Sequence, residues 1–284
     1  AIPDLFGQTL GQDQTVTFTT TSAPRALTAP GGNFVVLDPS GPPAFSVFTV
    51  NYGQIKVQVY AVEPEDWPNF QRFQQDYYRR DQPPTPPGRL VLDRAIPIKA
   101  QPDQLTETAI DLTPALGAGR SSGQFVLVIQ PDLDLLGALL QSLRGQQLPV
   151  IQAWVQVTNI GLDVAVDHGQ MIVWANALRD GAPLADVQLS LSPAGLAAVT
   201  DAKGTATLRL PSSDANLLIA RRGDDVAILP ENTYWWGSGG WQQRPLYDEL
   251  RWYVFDDRQM YRPGEEVHAK GWLRRVGGGP QGDV

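Results

Sequence analysis

The pentapeptide Gly119-Arg120-Ser121-Ser122-Gly123 fits the pattern Gly-x-Ser-x-Gly, in which a serine can act as the nucleophile of a hydrolase. That chemistry requires a strand before the serine and a helix after it, so that the serine oxygen stands exposed on a strained turn. Here the order is reversed, because the apolar run 125–129, which predicts a strand, follows the serine. The pentapeptide is therefore predicted to be a loop and not a catalytic site.

Metal binding finds little support in the histidines. His168 and His268 are the only two in the chain, and neither has a second His or a Cys close to it in sequence, as zinc ligation usually requires. The chain contains no Cys, which excludes disulfides, thiolate ligands and a cysteine nucleophile. We predict a turn for His168, a strand edge for His268, and neither a metal nor a cofactor.

Two acidic clusters could supply carboxylates for calcium or for paired acid and base catalysis: Asp132 with Asp134, and Glu63 with Glu65 and Asp66. Calcium needs about six to eight oxygen ligands, more than either cluster offers. Each cluster precedes a segment with helical periodicity, where negative charge interacts favourably with the helix dipole. We interpret both clusters as helix starts. Because no nucleophile, base and orienting group can be assembled, the chain is predicted not to be an enzyme.

Two further patterns suggest binding. Arg222-Gly223-Asp224 spells the integrin-binding tripeptide, but a Gly followed by aspartates is also ordinary turn chemistry between two strands. Trp235, Trp236 and Trp241 could stack on sugar rings, although a linker rich in Gly and aromatic residues can also pack between neighbouring domains. We favour the turn and the interdomain packing. An adhesin or carbohydrate-binding array of β-sandwiches is kept as the alternative function.

The composition indicates a folded chain with an acidic surface. Of the 284 residues, 42% are hydrophobic and 18% are charged, and the formal net charge is -8. A charge of this sign repels a phosphate backbone, so no nucleic-acid partner is expected. The longest helix-like apolar run, residues 133–143, is shorter than the roughly 20 residues that cross a bilayer, so no transmembrane segment is expected either.

Alternation of apolar and polar residues predicts β-strands along most of the chain. Ile55, Val57 and Val59 alternate with polar neighbours, which places them on one face of a pleated strand. The same alternation predicts strands in Thr15–Thr20, Thr106–Leu112, Ile151–Thr158, Val187–Ser192 and Thr205–Leu210. The turns between them are too short for the crossovers of a parallel sheet, so antiparallel sheets are predicted. The unbroken apolar run Phe125–Ile129 indicates a strand covered on both faces or lying near a domain junction.

Two segments have helical periodicity. The first begins near Asp66 and ends before Pro83, with Phe70, Phe73 and Tyr77 on its apolar face. The second ends at Gly145, and its apolar face consists of Leu136, Leu139, Leu140 and Leu143. Neither segment lies between two strands that could form a parallel unit.

These features divide the chain into two sandwich domains and three flanking parts. The predicted parts are a lead-in or the tail of a preceding domain (1–30), a β-sandwich with a helical insertion near 66–80 (31–149), a second β-sandwich (150–232), a Gly- and Trp-rich linker (233–250) and the start of a further domain (251–284).

The stretch from Tyr253 to Gly271 resembles the opening of a macroglobulin domain, as found in alpha-2-macroglobulins and related complement proteins. In that family an acidic, an aromatic and a basic residue precede a Pro-Gly turn between the first two strands. The residues that match are Asp256, Tyr261, Arg262, Pro263, Gly264, Val267 and Gly271. Pro263 fixes φ at the second turn position, and Gly264 supplies the positive φ that a type II turn needs next.

A second match covers about residues 150–229. Residues 157–162, 182–187 and 200–204 are similar to the turns and strand starts of the macroglobulin domain that precedes the Pro-Gly domain in bacterial members of the family. In the first domain, residues 48–51 and 59–66 resemble a family pattern of a strand followed by an acidic helix start. The thioester motif of the family requires Cys and is not present in this chain.

The resemblance implies an all-β fold of tandem fibronectin-type-III-like antiparallel β-sandwich (macroglobulin) domains with minor helical insertions. It implies a structural segment of a bacterial endopeptidase inhibitor that traps proteases after they cut a bait region elsewhere in the full-length protein. The partners would be target proteases, through the full-length protein, and neighbouring macroglobulin domains. An exported location, in the periplasm or cell envelope, is implied by the resemblance alone.

Overall fold

The computed structural model describes residues 3–9, 11–12, 15–77, 79, 84–99, 101–133, 148–234, 239–245, 249–258 and 260–277. The four leucines of the second predicted helix, Asp134, Trp235 and Trp236 lie outside these ranges. The elements are β1 (Ala26–Thr28), β2 (Phe34–Leu37), β3 (Ala44–Val50), β4 (Gln54–Ala61), α1 (Trp67–Tyr77), β5 (Arg89–Pro97), β6 (Thr106–Asp111), α2 (Thr113–Leu116), β7 (Gly123–Pro131), β8 (Ile151–Val157), β9 (Ile160–Val166), β10 (Gln170–Ala177), β11 (Gln188–Ser192), β12 (Leu196–Val199), β13 (Thr205–Arg209), β14 (Leu217–Arg222), β15 (Asp225–Pro230), β16 (Glu249–Asp256) and β17 (Ala269–Val276).

The first sandwich consists of a three-stranded sheet, in the order β1-β3-β6, and a five-stranded sheet, in the order β2-β8-β7-β4-β5. Alternate residues of each strand point into the space between the sheets, as the period-two pattern predicts. Ile55, Val57 and Val59 of β4 are fully buried in this core, together with Phe45 of β3 and Ile110 of β6. The predicted β-sandwich fold is confirmed for this unit.

The second sandwich packs a sheet in the order β13-β10-β9 on a sheet in the order β12-β11-β14-β15. Its core takes Met171 and Val173 from β10, Leu189 and Leu191 from β11, and Leu218 from β14. All neighbouring strands in these two sheets run antiparallel. Four of the five additional strands predicted from alternation are present, as β6, β8, β11 and β13.

Strand β8 moves the predicted boundary between the two sandwiches. The sequence placed it at the start of the second unit, at residue 150, but it pairs antiparallel with β7 and parallel with β2 in the first. The parallel pair departs from the predicted antiparallel sheets. The prediction considered only consecutive strands, whereas β2 and β8 are separated by nearly the whole first sandwich, which serves as the crossover.

The predicted lead-in also changes. Strand β1 pairs with β3, with Ala26 opposite Val50, so the first sandwich begins before residue 31. Thr15–Thr20 is exposed and is not assigned to a strand, although its residues alternate. Alternation alone does not make a strand, because the backbone also needs a hydrogen-bonding neighbour.

Helix α1 begins where the sequence predicted a helix. It follows a 3-10 turn at Pro64–Asp66, and the Asp66 carboxylate accepts the backbone N–H of Glu63 at 3.1 Å. The acidic cluster therefore serves the helix start, as predicted. Trp67, Phe70 and Phe73 form the buried face of the helix.

Strands β16 and β17 form an antiparallel hairpin in which Tyr253 lies opposite Trp272. The apolar residues of both strands are exposed to solvent, with Trp252 at 72% and Leu273 at 54%. The rings of Tyr253, Phe255 and Trp272 contact one another on one face, with centroid distances of 5.6 to 6.1 Å. The hairpin is the part of the chain that resembles the first two strands of a macroglobulin domain.

Gly204 is a position where the second sandwich requires glycine. Its φ is +72°, and an added Cβ would lie 2.5 Å from the carbonyl oxygen of Ala175. We expect Gly204→Ala to lower the free energy of unfolding by about 3 kcal/mol or more, because left-handed strain of roughly 1–2 kcal/mol adds to a clash with backbone.

Gly223→Ala is the matched control for this substitution. Gly223 also has a positive φ, +59°, but a Cβ there would meet nothing within 4 Å. We expect it to cost about 1–2 kcal/mol, from strain alone. Urea unfolding of both variants checks the difference, and equal losses would contradict the assigned close approach.

Candidate functional site

The main site of contact in the described chain is the junction of the two sandwiches. The outer face of the five-stranded sheet is covered by α1 and by the second sandwich, and together they form a third apolar cluster. Its buried members are Tyr60, Val62, Trp67, Phe70, Phe73, Val126, Val128, Trp154, Leu217, Ile219 and Ile228. Trp154 is at the aromatic centre, with its ring centroid 5.4 Å from that of Trp67 and 5.8 Å from that of Phe70.

The third cluster explains the unbroken apolar run Phe125–Ile129. Phe125, Leu127 and Ile129 point into the core of the first sandwich, whereas Val126 and Val128 point outward into the interdomain cluster. The strand is covered on both faces and also lies at the junction, so both interpretations of the run are confirmed.

Two glutamines of the first sandwich bind the backbone of β15, the edge strand of its sheet. Gln156 donates from Nε2 to the Ile228 carbonyl oxygen at 3.1 Å, and its Oε1 accepts the Ile228 N–H at 2.8 Å. Gln124 donates from Nε2 to the Val226 carbonyl oxygen at 2.7 Å. An edge strand normally has backbone groups without a partner strand, so these side-chain amides replace one. We name Gln124 and Gln156 the glutamine clamp.

The glutamine clamp is buried and internally bonded. Gln124 accepts the indole N–H of Trp154 on Oε1 at 2.8 Å and donates from Nε2 to Oε1 of Gln156 at 3.2 Å. Both glutamines are less than a tenth exposed. A hydrogen bond in such a low-dielectric site is electrostatically stronger than in water, and leaving a partner unpaired is costly. The clamp therefore fixes the position of β15 against the first sandwich.

The covalent connection between the sandwiches is short and is held by several hydrogen bonds. Only Thr158 and Asn159 lie between β8 and β9. Asp225, the first residue of β15, accepts the Thr158 hydroxyl at 2.7 Å and the Asn159 N–H at 2.9 Å. The Thr158 N–H donates to the Leu37 carbonyl oxygen of the first sandwich at 3.1 Å. The connection is therefore tied to both sandwiches.

An ion pair lies at the rim of the junction. Arg221 Nη2 of β14 lies 3.1 Å from Glu65 Oε1 at the start of α1. Both side chains are substantially exposed, so the pair adds at most about 1 kcal/mol. The sequence predicts a helix start for Glu65 but not its pairing with Arg221, because no local pattern relates residues so far apart.

The tripeptide Arg222-Gly223-Asp224 and the linker residue Trp241 lie in different parts of the second sandwich. Arg222-Gly223-Asp224 is the exposed tip of the β14–β15 hairpin, as predicted for a turn. Trp241 packs against the core of the second sandwich, and its backbone pairs with Ala215. The favoured interpretation placed Trp241 between domains, so its position within one sandwich corrects that interpretation. Its side chain is partly buried there.

The remaining candidates lie in separate places. Ser121 and Ser122 are in the loop that enters β7, so the element that directly follows them is a strand and not a helix. His168 is in the turn between β9 and β10, and His268 precedes β17, at the exposed end of the hairpin. Asp132 accepts a hydrogen bond from Gln54 Nε2.

Neither a metal-binding cluster nor a membrane-spanning helix is found in the described ranges. Within them, no group of three or more His, Cys, Asp or Glu side chains is placed to hold a metal ion. No helix there has the length and apolarity needed to span a membrane.

The Pro-Gly segment between β16 and β17 has the predicted turn. The Glu265 N–H donates to the Arg262 carbonyl oxygen at 3.1 Å across Pro263 and Gly264, and Gly264 has a φ of +90°. The Glu265 carboxylate in turn accepts the Arg262 N–H at 3.1 Å. Val267 follows in the loop, and Gly271 lies opposite Val254, where an added Cβ would approach the Tyr253 carbonyl oxygen to 2.9 Å.

The acid that organises this loop is Asp257, not the matched Asp256. Tyr261 donates its hydroxyl hydrogen to the Asp257 carboxylate and accepts the Arg258 N–H at 3.0 Å. The hydrogen bond from Tyr261 lowers the pKa of Asp257, while burial and this same bond raise the pKa of Tyr261. Asp256 is instead the last residue of β16, opposite Ala269. The sequence offers two adjacent aspartates, and the motif alone did not distinguish them.

Arg258 completes the network of the Pro-Gly loop. Its guanidinium carbon lies 5.3 Å from the centroid of the Tyr261 ring, and its Nη1 lies 3.7 Å from a carboxylate oxygen of Glu265. The residue was missed as a site residue, although the motif contains a basic position after the acid. The ordered features of this segment are thus a turn and a small polar network, both structural.

The chain is similar to parts of larger proteins, and no family model matches it. An alpha-2-macroglobulin from Xylella fastidiosa is 31% identical over 45% of this chain and 8% of that protein. An alpha-2-macroglobulin homolog from Deinococcus radiodurans is 32% identical over 44% of this chain and 14% of that protein. Circularly permutated Ras protein 2 from Dictyostelium discoideum is 24% identical over 84% of this chain and 7% of that protein. The chain thus spans a small part of each relative.

A solved structure agrees with the fold. The crystal structure of native alpha-2-macroglobulin from Escherichia coli spanning domains MG0-NIE-MG1 matches with a TM-score of 0.54 at 18% identity, covering 81% of this chain and 71% of that one. The sheets, the junction and this match define a protein of tandem β-sandwich domains. Over 44 to 45% of its length the chain is also similar in sequence to the two bacterial proteins named above, an alpha-2-macroglobulin and an alpha-2-macroglobulin homolog.

The glutamine clamp predicts that Gln156 protects the edge of β15. In Gln156→Leu the Ile228 N–H and C=O lose their partner in a buried site, and each unpaired group costs about 1–3 kcal/mol. We expect the free energy of unfolding to fall by about 2–4 kcal/mol and the Ile228 amide to exchange its hydrogen faster. Gln188→Leu, at an exposed position of β11, is the control. Unchanged exchange at Ile228 in Gln156→Leu would show that the clamp does not protect the edge.

The loop network predicts a pH effect that depends on one hydroxyl. Because the folded-state pKa of Asp257 lies below its ordinary value, its contribution to loop stability is present above that value and is lost as pH falls through the folded-state pKa. Tyr261→Phe removes the largest cause, so we expect the pKa of Asp257 to rise toward about 3.9. Carboxyl-carbon NMR titration measures it, with Tyr253→Phe as the control. An identical midpoint in Tyr261→Phe would exclude the assigned bond.

Proposed function

We propose that this chain is a rigid structural segment of a broad-spectrum endopeptidase inhibitor of the alpha-2-macroglobulin type, a protease trap. The observation that carries the proposal is the junction of the two sandwiches, where the glutamine clamp, the interdomain cluster and the two bonded connecting residues act together. A protein that encloses another protein needs wall segments that keep their shape while other parts move. The named sequence relatives support assigning this role within such an inhibitor.

In the proposed mechanism the chain has a structural role and takes no part in a chemical reaction. Target proteases cut a bait region elsewhere in the full-length protein, and the domains then rearrange around the protease. The two sandwiches move as one body during this rearrangement, because separating them would expose the apolar side chains around Trp154 and the β15 edge. The segment is accordingly proposed not to be an enzyme.

The proposed partners are target proteases, through the full-length protein, and neighbouring macroglobulin domains. The exposed apolar strands β16 and β17 are suited to contact a neighbouring macroglobulin domain, because they are proposed to be the first two strands of a further domain. We also propose an exported location, in the periplasm or cell envelope, on the ground that the matched relatives from Xylella fastidiosa and Deinococcus radiodurans are bacterial alpha-2-macroglobulins.

The test uses the full-length polypeptide that contains this segment, incubated with a trypsin-like and a chymotrypsin-like endopeptidase. A trap shields a protease from large substrates and leaves its active site open. We therefore expect loss of casein hydrolysis, with hydrolysis of a small chromogenic peptide retained. An equal loss of hydrolysis for both substrates, or no loss for either, would contradict the proposed trap.

The role of the rigid junction is tested in the same protein. Gln156→Leu should reduce the protection from casein hydrolysis, because a loosened wall closes incompletely around the protease. Gln188→Leu should leave it unchanged, since that residue lies on an exposed part of β11. Full trapping by a Gln156→Leu protein whose Ile228 amide exchanges fast would show that rigidity of this junction is not required.

A further inference from the structure

Three segments meet at one end of the first sandwich, around two residues with unusual backbone conformations. Asn51 follows β3 and has a φ of +57°, and Asp103 lies between β5 and β6 and has a φ of +63°. Left-handed conformations are unfavourable for residues other than Gly, and Asn and Asp are the types that adopt them most readily. Two of them in contact indicate that their side chains are held for a structural purpose.

The two side chains bind each other reciprocally. Asn51 accepts the backbone N–H of Asp103 on Oδ1 at 2.8 Å and donates from Nδ2 to the Asp103 carboxylate at 2.9 Å. This joins the turn after β3 to the turn before β6. Since β3 and β6 are neighbouring strands in one sheet, the pair closes that end of the sheet.

The same pair also binds a third segment, at Ala23. The Ala23 N–H donates to Oδ1 of Asp103 at 2.8 Å, and the Ala23 carbonyl oxygen accepts Nδ2 of Asn51 at 2.8 Å. Both backbone polar groups of this residue are thus bound by the pair. Arg25, two residues on, lies over the Tyr52 ring at 5.7 Å from its centroid.

We propose that Asn51 and Asp103 form a latch that fixes the direction in which the chain before Ala23 enters the first sandwich. Binding a donor and an acceptor on one residue sets the orientation of its backbone, and Pro24 has a fixed φ that carries this orientation toward β1. The exposed residues 15–22 then leave the sandwich in a set direction and do not swing about Ala23. The latch depends on these contacts and not on the proposed function of the chain.

Trypsin cleavage after Arg25 tests the latch in the 284-residue chain. Cleavage requires several residues around Arg25 to leave the sandwich, so its rate reports how firmly Ala23 and Arg25 are held. Asn51→Gly and Asp103→Gly remove the side chains and keep a residue that accepts a positive φ. We expect each to raise the rate of this cut about tenfold or more, measured by mass spectrometry of the released peptide.

Two variants separate the latch from general strain or instability. Asp103→Asn keeps an acceptor oxygen and tolerates the left-handed conformation, so its cleavage rate should stay within about threefold of the original. Asp186→Gly relieves a left-handed residue of φ +59° in the second sandwich and should have no effect. Unchanged cleavage in both glycine variants at positions 51 and 103 would overturn the proposal, as would an equal increase in Asp186→Gly.

Hydrogen exchange at Ala23 gives a second measurement that does not depend on the protease. The Ala23 amide should lose its protection in Asp103→Gly and keep it in Asp103→Asn, while amides of the β4–β7 ladder stay protected in both. Exchange at Ala23 that is equally fast in all variants and in the original chain would also overturn the latch.

Discussion

The open edge of β15 is the constraint on which the arrangement of the two sandwiches depends. A sheet edge has N–H and C=O groups with no strand beside them, and burying such groups without partners is costly. Gln124 and Gln156 supply the missing partners from the neighbouring sandwich, which allows Ile228 to be almost completely buried. Because the glutamines bind backbone atoms, they fix the position of β15 in addition to covering it.

The burial of the junction follows from this placement. With β15 held, Ile228 and its neighbours on β14 meet the outer face of the five-stranded sheet, where apolar side chains are buried beside the two glutamines. Helix α1 covers another part of the same face, with Trp67 against Trp154. The rim is left to Glu65 and Arg221, a pair too exposed to contribute much stability.

The sequence predicted what depends on local pattern and missed what depends on distant pairing. The alternation of Ile55, Val57 and Val59 predicted β4, and Pro263 with Gly264 predicted the turn between β16 and β17. Each of these signals is contained within a few residues. The sequence also contained a weak signal for the clamp. Gln124 and Gln156 are polar residues near the ends of two strongly apolar strands, and a polar side chain buried there needs a hydrogen-bond partner. Which partner it has was decided by a strand about 70 to 100 positions away, as the separations of the bonded pairs show.

Backbone-directed bonds also bear on how this fold persists in sequences that differ widely. The Escherichia coli structure shares the fold at 18% identity, so most side chains can change while the fold remains. A bond from a side chain to backbone restricts the residue type at only one of its two positions. The glutamine clamp on β15 and the latch on Ala23 are both bonds of this kind, since each tolerates almost any residue at the position it binds. They restrict Pro, which lacks the N–H that Ile228 and Ala23 donate.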